Sequence, residues 1–313
     1  MKKSLLAASL SILVSWTAVA QSQLNKTFTG VKRIQINTAS GDCTLSKASG
    51  SSVTVDLTHT FGDNYDPQIS QDGDRLIIKE KFRSNSSRGE SMWKISVPDG
   101  VEVDFATGSG NLSASNLAMD LNVNTGSGDI SVQQLRGDLR GNTGSGNIKL
   151  TETSGEIKAN TGSGNIEIEN TSGELSVNCG SGDIRMKDSN AAFTANSGSG
   201  SIRGTNLTLT GSSRFNSGSG DAQIVLAGSP AHNISVNSGS GDAVLDFNGN
   251  TIAGEVVMKA NKKNGTIKAP FPFDKTEEIE QGRDQVIIKK TAQRGNSDVK
   301  ISIATGSGVA QIK

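Results

Sequence analysis

Six copies of the tripeptide Gly-Ser-Gly recur at one constant interval in the middle of this chain. A fixed short period is typical of solenoid proteins, in which each repeat packs only on its neighbours. The repeat therefore restricts the fold far more than it restricts the activity. The regular copies begin at Gly108, Gly126, Gly144, Gly162, Gly180 and Gly198, and further copies begin at Gly218, Gly239 and Gly306.

Each Gly-Ser-Gly tripeptide is followed by alternating apolar and polar residues, as in Ile130-Ser131-Val132. Alternation with a period of two predicts short β-strands. A weaker copy of the motif, marked by Gly137, Gly155 and Gly173, lies half a period later. Each 18-residue coil is therefore predicted to hold two nine-residue halves, each a turn and a short strand, with glycines supplying positive φ in the turns.

These patterns predict an all-β fold, a right-handed parallel β-solenoid or β-roll with irregular terminal coils, because parallel crossover connections are nearly always right-handed. Intervening residues such as Lys149, Glu167 and Arg185 should face solvent and stack at roughly 4.8 Å with alternating charge. Two apolar columns should point into the core, namely Ile130, Ile148, Ile166, Ile184 and Ile202, and Val132, Leu150, Ile168 and Met186.

A column of asparagines stands two residues before the first glycine of successive repeats. Stacked side-chain amides can donate and accept hydrogen bonds along a solenoid axis, as in the amide ladders of cross-β stacks. We interpret the column as a structural ladder of buried amides, which lapses in the terminal coils where Ala106 and Ala304 replace asparagine. Its members are Asn124, Asn142, Asn160, Asn178, Asn196, Asn216 and Asn237.

The pattern divides the chain into four parts. Residues 1–20 combine two lysines, a short apolar run and the small-residue site Ala18-Val19-Ala20, which is typical of a bacterial secretory signal peptide. We predict an N-terminal coil and irregular β entry segment over 21–105, the regular solenoid over 106–250, and irregular C-terminal coils with a cap over 251–313. The cleaved protein should be periplasmic or secreted, without membrane insertion, because no other stretch approaches the roughly 20 apolar residues of a transmembrane helix.

Composition limits the kinds of partner. The chain has 31 basic and 31 acidic residues, and this balance argues against nucleic acid. Aromatic residues are sparse, which limits recognition by stacking. Cys43 and Cys179 fall several coils apart, and since a disulfide needs Cα atoms within about 7 Å, we predict that both are unpaired.

The segment Ser96-Val97-Pro98, followed by Val101-Glu102-Val103 and then by repeated Thr-Gly-Ser-Gly-Asp/Asn-Ile, resembles the bacterial β-strand-repeat family labelled "putative adhesin". The resemblance extends from about residue 31 to residue 313. It implies a β-solenoid of exported or cell-envelope proteins, and it transfers no site residues. No lipobox, sorting motif or translocator accompanies the repeats, which favours the periplasm.

Two other functions remain open at this stage. Nine-residue Gly/Asp repeats bind calcium in some exported β-rolls, but here the acid directly follows the second glycine, which is a different offset. A corner column of acids, Asp120, Asp138, Glu156 and Glu174, could still bind a divalent cation weakly. A glycan-active solenoid enzyme would need a cleft lined by several acids and a basic residue. Asp221 and Asp242, at equivalent positions of successive coils, are a candidate carboxylate pair, but no other feature of the sequence sets them apart.

We therefore expect a non-catalytic scaffold, with no cofactor, that binds an envelope protein or glycan through its flat strand faces. Nothing resembles a nucleophile elbow, and the two histidines, His59 and His232, lie in unrelated segments. The irregular segments 58–93 and 251–283 should cover the strand edges at the two ends of the solenoid, which would keep the protein monomeric.

Overall fold

The computed structural model describes residues 22–83, 88–281 and 285–313, and every regular element in these ranges is a β-strand. The predicted signal peptide, residues 1–20, lies outside the described residues. Among the residues that are described, no helix is long and apolar enough to cross a membrane. The expected all-β fold with parallel strands is confirmed.

The described residues form 29 strands. The first ten are β1 Ser22–Phe28, β2 Arg33–Thr38, β3 Asp42–Lys47, β4 Val53–His59, β5 Gln68–Asp72, β6 Arg75–Lys79, β7 Ser91–Val97, β8 Glu102–Thr107, β9 Leu112–Ala118 and β10 Leu121–Thr125. The next ten are β11 Ile130–Arg136, β12 Leu139–Thr143, β13 Ile148–Thr151, β14 Ser154–Thr161, β15 Ile166–Glu169, β16 Ser172–Cys179, β17 Ile184–Lys187, β18 Asn190–Ser197, β19 Ile202–Leu209 and β20 Ser213–Ser217. The last nine are β21 Ala222–Leu226, β22 Ile234–Ser238, β23 Ala243–Asp246, β24 Gly254–Asn261, β25 Thr266–Lys268, β26 Lys275–Gln281, β27 Gln285–Arg294, β28 Lys300–Thr305 and β29 Val309–Ile312.

In the regular region, each strand pairs in parallel with its equivalent in the next coil. Leu121 pairs with Leu139 in this way, and Ile130 pairs with Ile148. The strands that precede the Gly-Ser-Gly turns form one stack, here called the asparagine stack, and those that follow the turns form the isoleucine stack. In spatial order, the asparagine stack is β6, β2, β8, β10, β12, β14, β16, β18, β20, β22, β28 and β24. The isoleucine stack is β7, β3, β9, β11, β13, β15, β17, β19, β21, β23, β29 and β25.

At both ends, the stacking order departs from the chain order. Near the N-terminus, the coil of β2 and β3 lies between the coil of β6 and β7 and the coil of β8 and β9. Near the C-terminus, the coil of β28 and β29 lies between the coil of β22 and β23 and the coil of β24 and β25. The N-terminal coil of β2 and β3 and the late coil that contains Gly306 therefore join the regular stack instead of lying apart from it.

This rearrangement corrects one expectation about the asparagine column. Ala106 pairs with Asn37 on one side and with Asn124 on the other. Ala304 likewise lies between Asn237 and Lys259. Both alanines belong to internal coils, so the expectation that they mark the terminal coils is wrong. The order of the coils in the stack differs from their order in the chain, and at least one further coil lies beyond each of these two positions.

Antiparallel strands lie on the outermost coils. At the N-terminal end, β5 pairs with β6, β4 pairs with β7 and β1 pairs with β4. At the other end, β27 pairs with β24 and β26 pairs with β27. Partly buried apolar side chains from these regions pack against the core and so cover its two ends: Leu24, Phe28, Ile69 and Phe82 at the first, and Ile252, Ile267, Ala269, Phe271 and Phe273 at the second.

One continuous apolar core runs between the two stacks. Both predicted columns point into it, and Ile130 and Leu150, for example, are at most 1% exposed. Cys43 takes the place of Leu112 and Ile130 in the inward column of its coil. Both cysteines are free and buried, and burial raises the pKa of each thiol. Cys43 therefore serves as a small apolar side chain in the core.

The glycines of the Gly-Ser-Gly turns are needed for a different reason from the one the sequence suggested. The half-repeat glycines Gly137, Gly155 and Gly173 have positive φ, with values of 140°, 139° and 114°, whereas none of the glycines in the Gly-Ser-Gly turns does. Instead, a Cβ at Gly146 would lie 2.0 Å from the carbonyl oxygen of Gly128 in the neighbouring coil. Glycine is required there because successive turn backbones approach too closely for any side chain.

A second corner of the coil has a left-handed residue that is not glycine. Asparagine and aspartate tolerate this conformation better than most residues, which accounts for four of the six side chains found there. The regular spacing of these residues was visible in the sequence but was not recognised as a turn signal. The φ values lie between 49° and 56° at Asn116, Gln134, Glu152, Asn170, Asp188 and Asn206.

We predict that Gly146→Ala lowers the free energy of unfolding by about 3 kcal/mol or more, because the added methyl would overlap a backbone oxygen that cannot move independently. Gly141→Ala in the same coil is the matched control, since its Cβ would meet Ile130 Cδ1 at an ordinary 3.6 Å. The control should change the stability by less than about 1 kcal/mol. Urea denaturation measures both values, and equal destabilisation by the two variants would contradict the close-approach argument.

Candidate functional site

The asparagine side chains form a continuous chain of hydrogen bonds on the outer surface of the asparagine stack. The Asn142 Nδ2 donates to Asn124 Oδ1 at 2.9 Å, and the Asn160 Nδ2 donates to Asn142 Oδ1 at 2.9 Å. The same bond joins the later members at 2.8–2.9 Å, through Asn178, Asn196, Asn216 and Asn237. Parallel pairing in register places these residues side by side, so the amides align without further adjustment.

The asparagines are not buried as expected. They alternate along each strand with inward residues, such as Val123 and Thr125 beside Asn124, and their own side chains are half-buried or exposed. Each interior amide, from Asn142 to Asn216, uses one N–H and one oxygen lone pair in the chain of bonds, which leaves a second N–H and a second lone pair. At the end of the chain of bonds, the Asn237 amide also donates to Ser235 Oγ at 2.9 Å. The remaining groups face outward once per coil, so this surface is a regular array of donors and acceptors.

A second outward column runs beside the asparagines on the same stack. Pairing in register aligns the side chains across the strands, and the character of the column changes along the stack: acidic at Asp104, basic at Arg140 and Lys158, then hydroxyl-bearing with one further base at Arg214. Together with the asparagines, it forms a flat polar surface, here called the asparagine face. The second column consists of Asp104, Asn122, Arg140, Lys158, Ser176, Thr194, Arg214 and Ser235.

Near its N-terminal end, the asparagine face contains a shallow hollow of about 290 Å³. The acids in it already have partners: Arg33 contacts Glu102 at 2.7 Å, Asn122 Nδ2 donates to Asp104 at 3.1 Å, and Lys158 pairs with Glu156. Arg140 also lines the hollow, which therefore combines carboxylates with basic groups. Its full lining is Glu102, Asp104, Asp120, Leu121, Asn122, Asp138, Arg140, Glu156 and Lys158.

The acid column at the corner of the coil stabilises the turns. The Asp138 N–H donates to Asp120 Oδ1 at 3.0 Å, and the Glu156 N–H donates to Asp138 Oδ1 at 2.9 Å. A carboxylate that accepts a backbone N–H is stabilised without a cation. Among the residues that the structure describes, no group of three or more His, Cys, Asp or Glu side chains is placed to hold a metal ion.

The residue that follows each Gly-Ser-Gly has a related role, which the sequence analysis did not identify. The Asn147 N–H donates to Asp129 Oδ1 at 2.7 Å, and the Asn165 N–H donates to Asn147 Oδ1 at 2.9 Å. Asp242 continues the series by accepting from Val309 N–H at 2.8 Å. The position requires a short side chain with an oxygen acceptor, which explains why aspartate, asparagine and serine alternate there.

A third ladder lies inside the coil, at the residue before the first glycine. The Thr143 hydroxyl donates to Gly128 O at 3.0 Å and accepts from Gly146 N–H at 3.0 Å. Cys179 replaces threonine in this ladder and makes the same two contacts, at 3.1 and 3.0 Å. The sequence signal was the column Thr107, Thr125, Thr143, Thr161, Cys179, Ser197, Ser217, Ser238 and Thr305, in which every residue is short and can both donate and accept.

A partly buried carboxylate joins the two outermost parallel coils at the N-terminal end. Glu80 Oε1 accepts from Tyr65 Oη at 2.9 Å, from Trp93 Nε1 at 3.0 Å and from the Ser91 hydroxyl, and Oε2 accepts from Ala39 N–H at 2.9 Å. Burial opposes ionisation of Glu80, but these four donors outweigh it and lower the pKa of the carboxyl group. Tyr65 and Trp93 are thus held in the interior and are not available as a binding platform.

Because the pKa of Glu80 is lower in the folded than in the unfolded protein, its contribution to stability is present above the ordinary glutamate pKa and is lost as the pH falls through the folded value. We predict that Glu80→Gln destabilises the protein by about 1–3 kcal/mol near neutral pH, since the charged acceptor is lost. The variant should also be less sensitive to acid than the wild type.

Thermal melts between about pH 3 and about pH 7 measure this difference. Glu90→Gln provides the control, because Glu90 is exposed in the same region of the chain. If acid lowers the melting temperature of the wild type and of Glu80→Gln in parallel, the role assigned to Glu80 is wrong.

Three solved structures are similar to the chain over most of its length. A "putative cell adhesion protein" from Clostridium sporogenes is 15% identical, with 94% of this chain and 99% of that chain covered and a TM-score of 0.28. A "putative adhesin" from Bacteroides fragilis is 11% identical, with 95% of this chain and 98% of that chain covered and a TM-score of 0.31. A "putative adhesin" from Parabacteroides distasonis is also 11% identical, with 94% of this chain and 97% of that chain covered and a TM-score of 0.30.

No curated protein sequence gives a significant match to the chain. The family model described as Toastrack DUF4097 matches residues 31–271, which is well over half of the sequence. That span includes the whole regular region of both stacks, with its Gly-Ser-Gly turns and its asparagine ladder. The chain therefore belongs to the Toastrack DUF4097 family.

Proposed function

We propose that this protein is an exported, non-catalytic β-solenoid of the bacterial cell envelope that acts as an adhesin-like binding and structural scaffold. Residues 1–20 would direct export as a cleaved signal peptide, and the mature protein would be periplasmic or secreted. Its coils would wind right-handed, with two nine-residue halves in each coil. The covering strands at the two ends would keep it monomeric, and its partner would be a protein or a glycan of the envelope.

The observation that carries this proposal is how the polar side chains of the repeat are used. Asn142, Thr143 and Asn147 of a single coil all make hydrogen bonds to the neighbouring coil. These bonds fix the shape of the surface. The Thr143 hydroxyl is occupied as both donor and acceptor, and the amides of Asn142 and Asn147 are neither nucleophiles nor proton-transfer groups. The result is a rigid polar face that a partner can bind without ordering it first, which lowers the entropic cost of binding.

The hollow on the asparagine face provides the specific observation in favour of the alternative, a glycan-active enzyme. It has the several acids and the basic residues that such a site would need. Its carboxylates, however, are each paired with a side chain or a backbone N–H, as Glu102 is with Arg33 and Asp120 is with Asp138. We therefore assign the hollow to binding, with Arg140 and Lys158 as the groups that contact the partner.

The double variant Arg140→Glu, Lys158→Glu tests this assignment. Binding of the purified mature protein to isolated bacterial envelopes should weaken at least about tenfold, because two attractive charges become repulsive. Lys149→Glu is the matched control: it lies in the same part of the solenoid but on the outer face of the isoleucine stack. Equal binding by both variants would contradict the assignment, and release of reducing sugar from the envelopes would favour the enzyme.

The calcium-stabilised β-roll makes a different prediction. Since Asp120, Asp129 and Asp138 accept backbone N–H groups from the next coil, they do not need a cation to balance their stacking. We expect the same melting temperature in EDTA and in millimolar calcium, measured by circular dichroism. A rise of several degrees with calcium, absent with magnesium, would contradict this expectation and support the β-roll.

A further inference from the structure

The asparagine ladder is interrupted inside the stack at Ala106. In the strand pairing, Ala106 lies between Asn37 on one side and Asn124 on the other. Neighbouring strands are about 4.8 Å apart, so these two asparagines are separated by about 9.6 Å along the axis. This separation is twice that of bonded amides in the ladder, and it leaves room for one further amide group. The position between Asn37 and Asn124 is here called the ladder gap.

The direction of the ladder determines which groups face the gap. Each Nδ2 donates towards the N-terminal end of the stack and each Oδ1 accepts from the opposite side, as between Asn142 and Asn124. At the gap, the Asn124 Nδ2 turns sideways to Asn122 Oδ1 at 3.4 Å, which is longer than an ordinary hydrogen bond. With the orientation common to the ladder, Asn37 presents its Oδ1 to the gap. The gap therefore offers a donor on one side and an acceptor on the other.

A secondary amide is the group that fits this pair. The C=O and N–H of a trans amide point in opposite directions, so one amide can accept from Asn124 Nδ2 and donate to Asn37 Oδ1 at the same time. A carboxylate has only acceptors, and a single hydroxyl is too small to reach both asparagines. The methyl side chain of Ala106 leaves the space between them open to a ligand amide from solvent, because Ala106 is not buried.

A shallow trough of about 550 Å³ begins at the gap and follows the ladder over three further coils. Its lining contains no side chain larger than asparagine, so it offers no pocket for the aromatic or aliphatic anchors of a protein partner. The ladder amides beside it have a spare N–H and a spare lone pair each, which suits the hydroxyl groups of a sugar. The lining is Ala106, Thr107, Asn124, Thr125, Gly126, Asn142, Thr143, Gly144, Asn160, Thr161 and Gly162.

We propose that the ladder gap binds the acetamido group of an N-acetylated amino sugar, and that the trough holds the glycan chain to which this sugar belongs. The inference rests on the proposed function, because it names the class of glycan that the asparagine face takes. It involves uncharged groups alone, so it can be tested with neutral oligosaccharides that do not require Arg140 or Lys158.

The test titrates the isotope-labelled protein with an oligomer of N-acetylglucosamine, followed by nuclear magnetic resonance. An oligomer of glucose with the same linkage and length is the matched probe, since it lacks only the acetamido groups. The side-chain amide signals of Asn37 and Asn124 should shift with the first oligomer and not with the second. Equal shifts with both oligomers, or shifts confined to other residues, would overturn the proposal.

Two small probes identify the group that the gap recognises. Acetate should leave the signals of Asn37 and Asn124 in place, because it has no N–H to donate. If acetate shifts them as the acetamido oligomer does, the gap is an anion site and the proposal is overturned. If triglycine shifts them as strongly as the acetamido oligomer, the gap takes a peptide, which also overturns it.

Variants that supply or remove a single group make the test specific. Ala106→Asn completes the ladder and should weaken binding of the acetamido oligomer at least about tenfold, because the new side chain fills the gap and takes both hydrogen bonds. Its melting temperature should not fall, since asparagine is the usual residue of this column. Ala304→Asn is the matched control: it fills the other interruption, between Asn237 and Lys259, and should leave binding unchanged.

Asn124→Asp removes the donor at the gap but keeps an oxygen that can accept from Asn142. This variant should also bind the acetamido oligomer at least about tenfold more weakly, because a carboxylate repels the oxygen of the ligand amide. Binding equal to that of the wild type, by either Ala106→Asn or Asn124→Asp, would overturn the proposal.

Envelope binding separates the failure of this inference from the failure of the proposed function. If Ala106→Asn binds envelopes as well as the wild type does, while the double variant Arg140→Glu, Lys158→Glu does not, the ladder-gap proposal is overturned and the proposed function stands. If the wild type binds the acetamido oligomer through Asn37 and Asn124 but does not bind envelopes, the ladder gap is supported and the envelope partner is wrong.

Discussion

The close approach of turn backbones in successive coils is the constraint on which the remaining structure depends. At Gly128 and Gly146, the space for a side chain is taken by the carbonyl oxygen of the neighbouring coil, 1.9 and 2.0 Å from the position of a Cβ. This approach brings the coils into register at every turn. Once the register is fixed, every column of the repeat is aligned, and each side chain meets its own equivalent one coil away.

Aligned columns explain how a chain with few aromatic residues and modest hydrophobicity holds a long core together. Each coil contributes aliphatic residues to the interior, and three hydrogen-bonded ladders surround them: asparagines outside, hydroxyls inside the turn, and short acceptors after it. Each ladder residue supplies hydrogen-bond partners to the next, so the buried hydroxyls of Thr143 and Thr161 are hydrogen-bonded within the repeat itself. The outward columns are not constrained in this way, and their charge varies from coil to coil.

The ends of the solenoid show where linear interpretation failed. The Gly-Ser-Gly copy at Gly306 is evident in the sequence, but its place in the stack is not. The Gly306 turn packs on the Gly239 turn, and a Cβ at Gly306 would lie 2.2 Å from the carbonyl oxygen of Gly239. Such close packing requires glycine in the turns of both coils. This requirement by itself places the late repeat next to the last regular coil. It does not indicate that β24 and β25 lie beyond that repeat.

The sequence by itself determined the period, the strand alternation, the inward columns and the polar columns. A solenoid repeats the same local environment in every coil, so equivalent positions select similar residues at a constant spacing. Only the tertiary structure decided the exposure of the asparagines, the reason for the turn glycines, the hydrogen-bonded and partly buried Glu80 and the order of coils at both ends. These features depend on which backbones meet across the stack. Contacts between segments as distant as Asp242 and Val309 carry no local periodic signal.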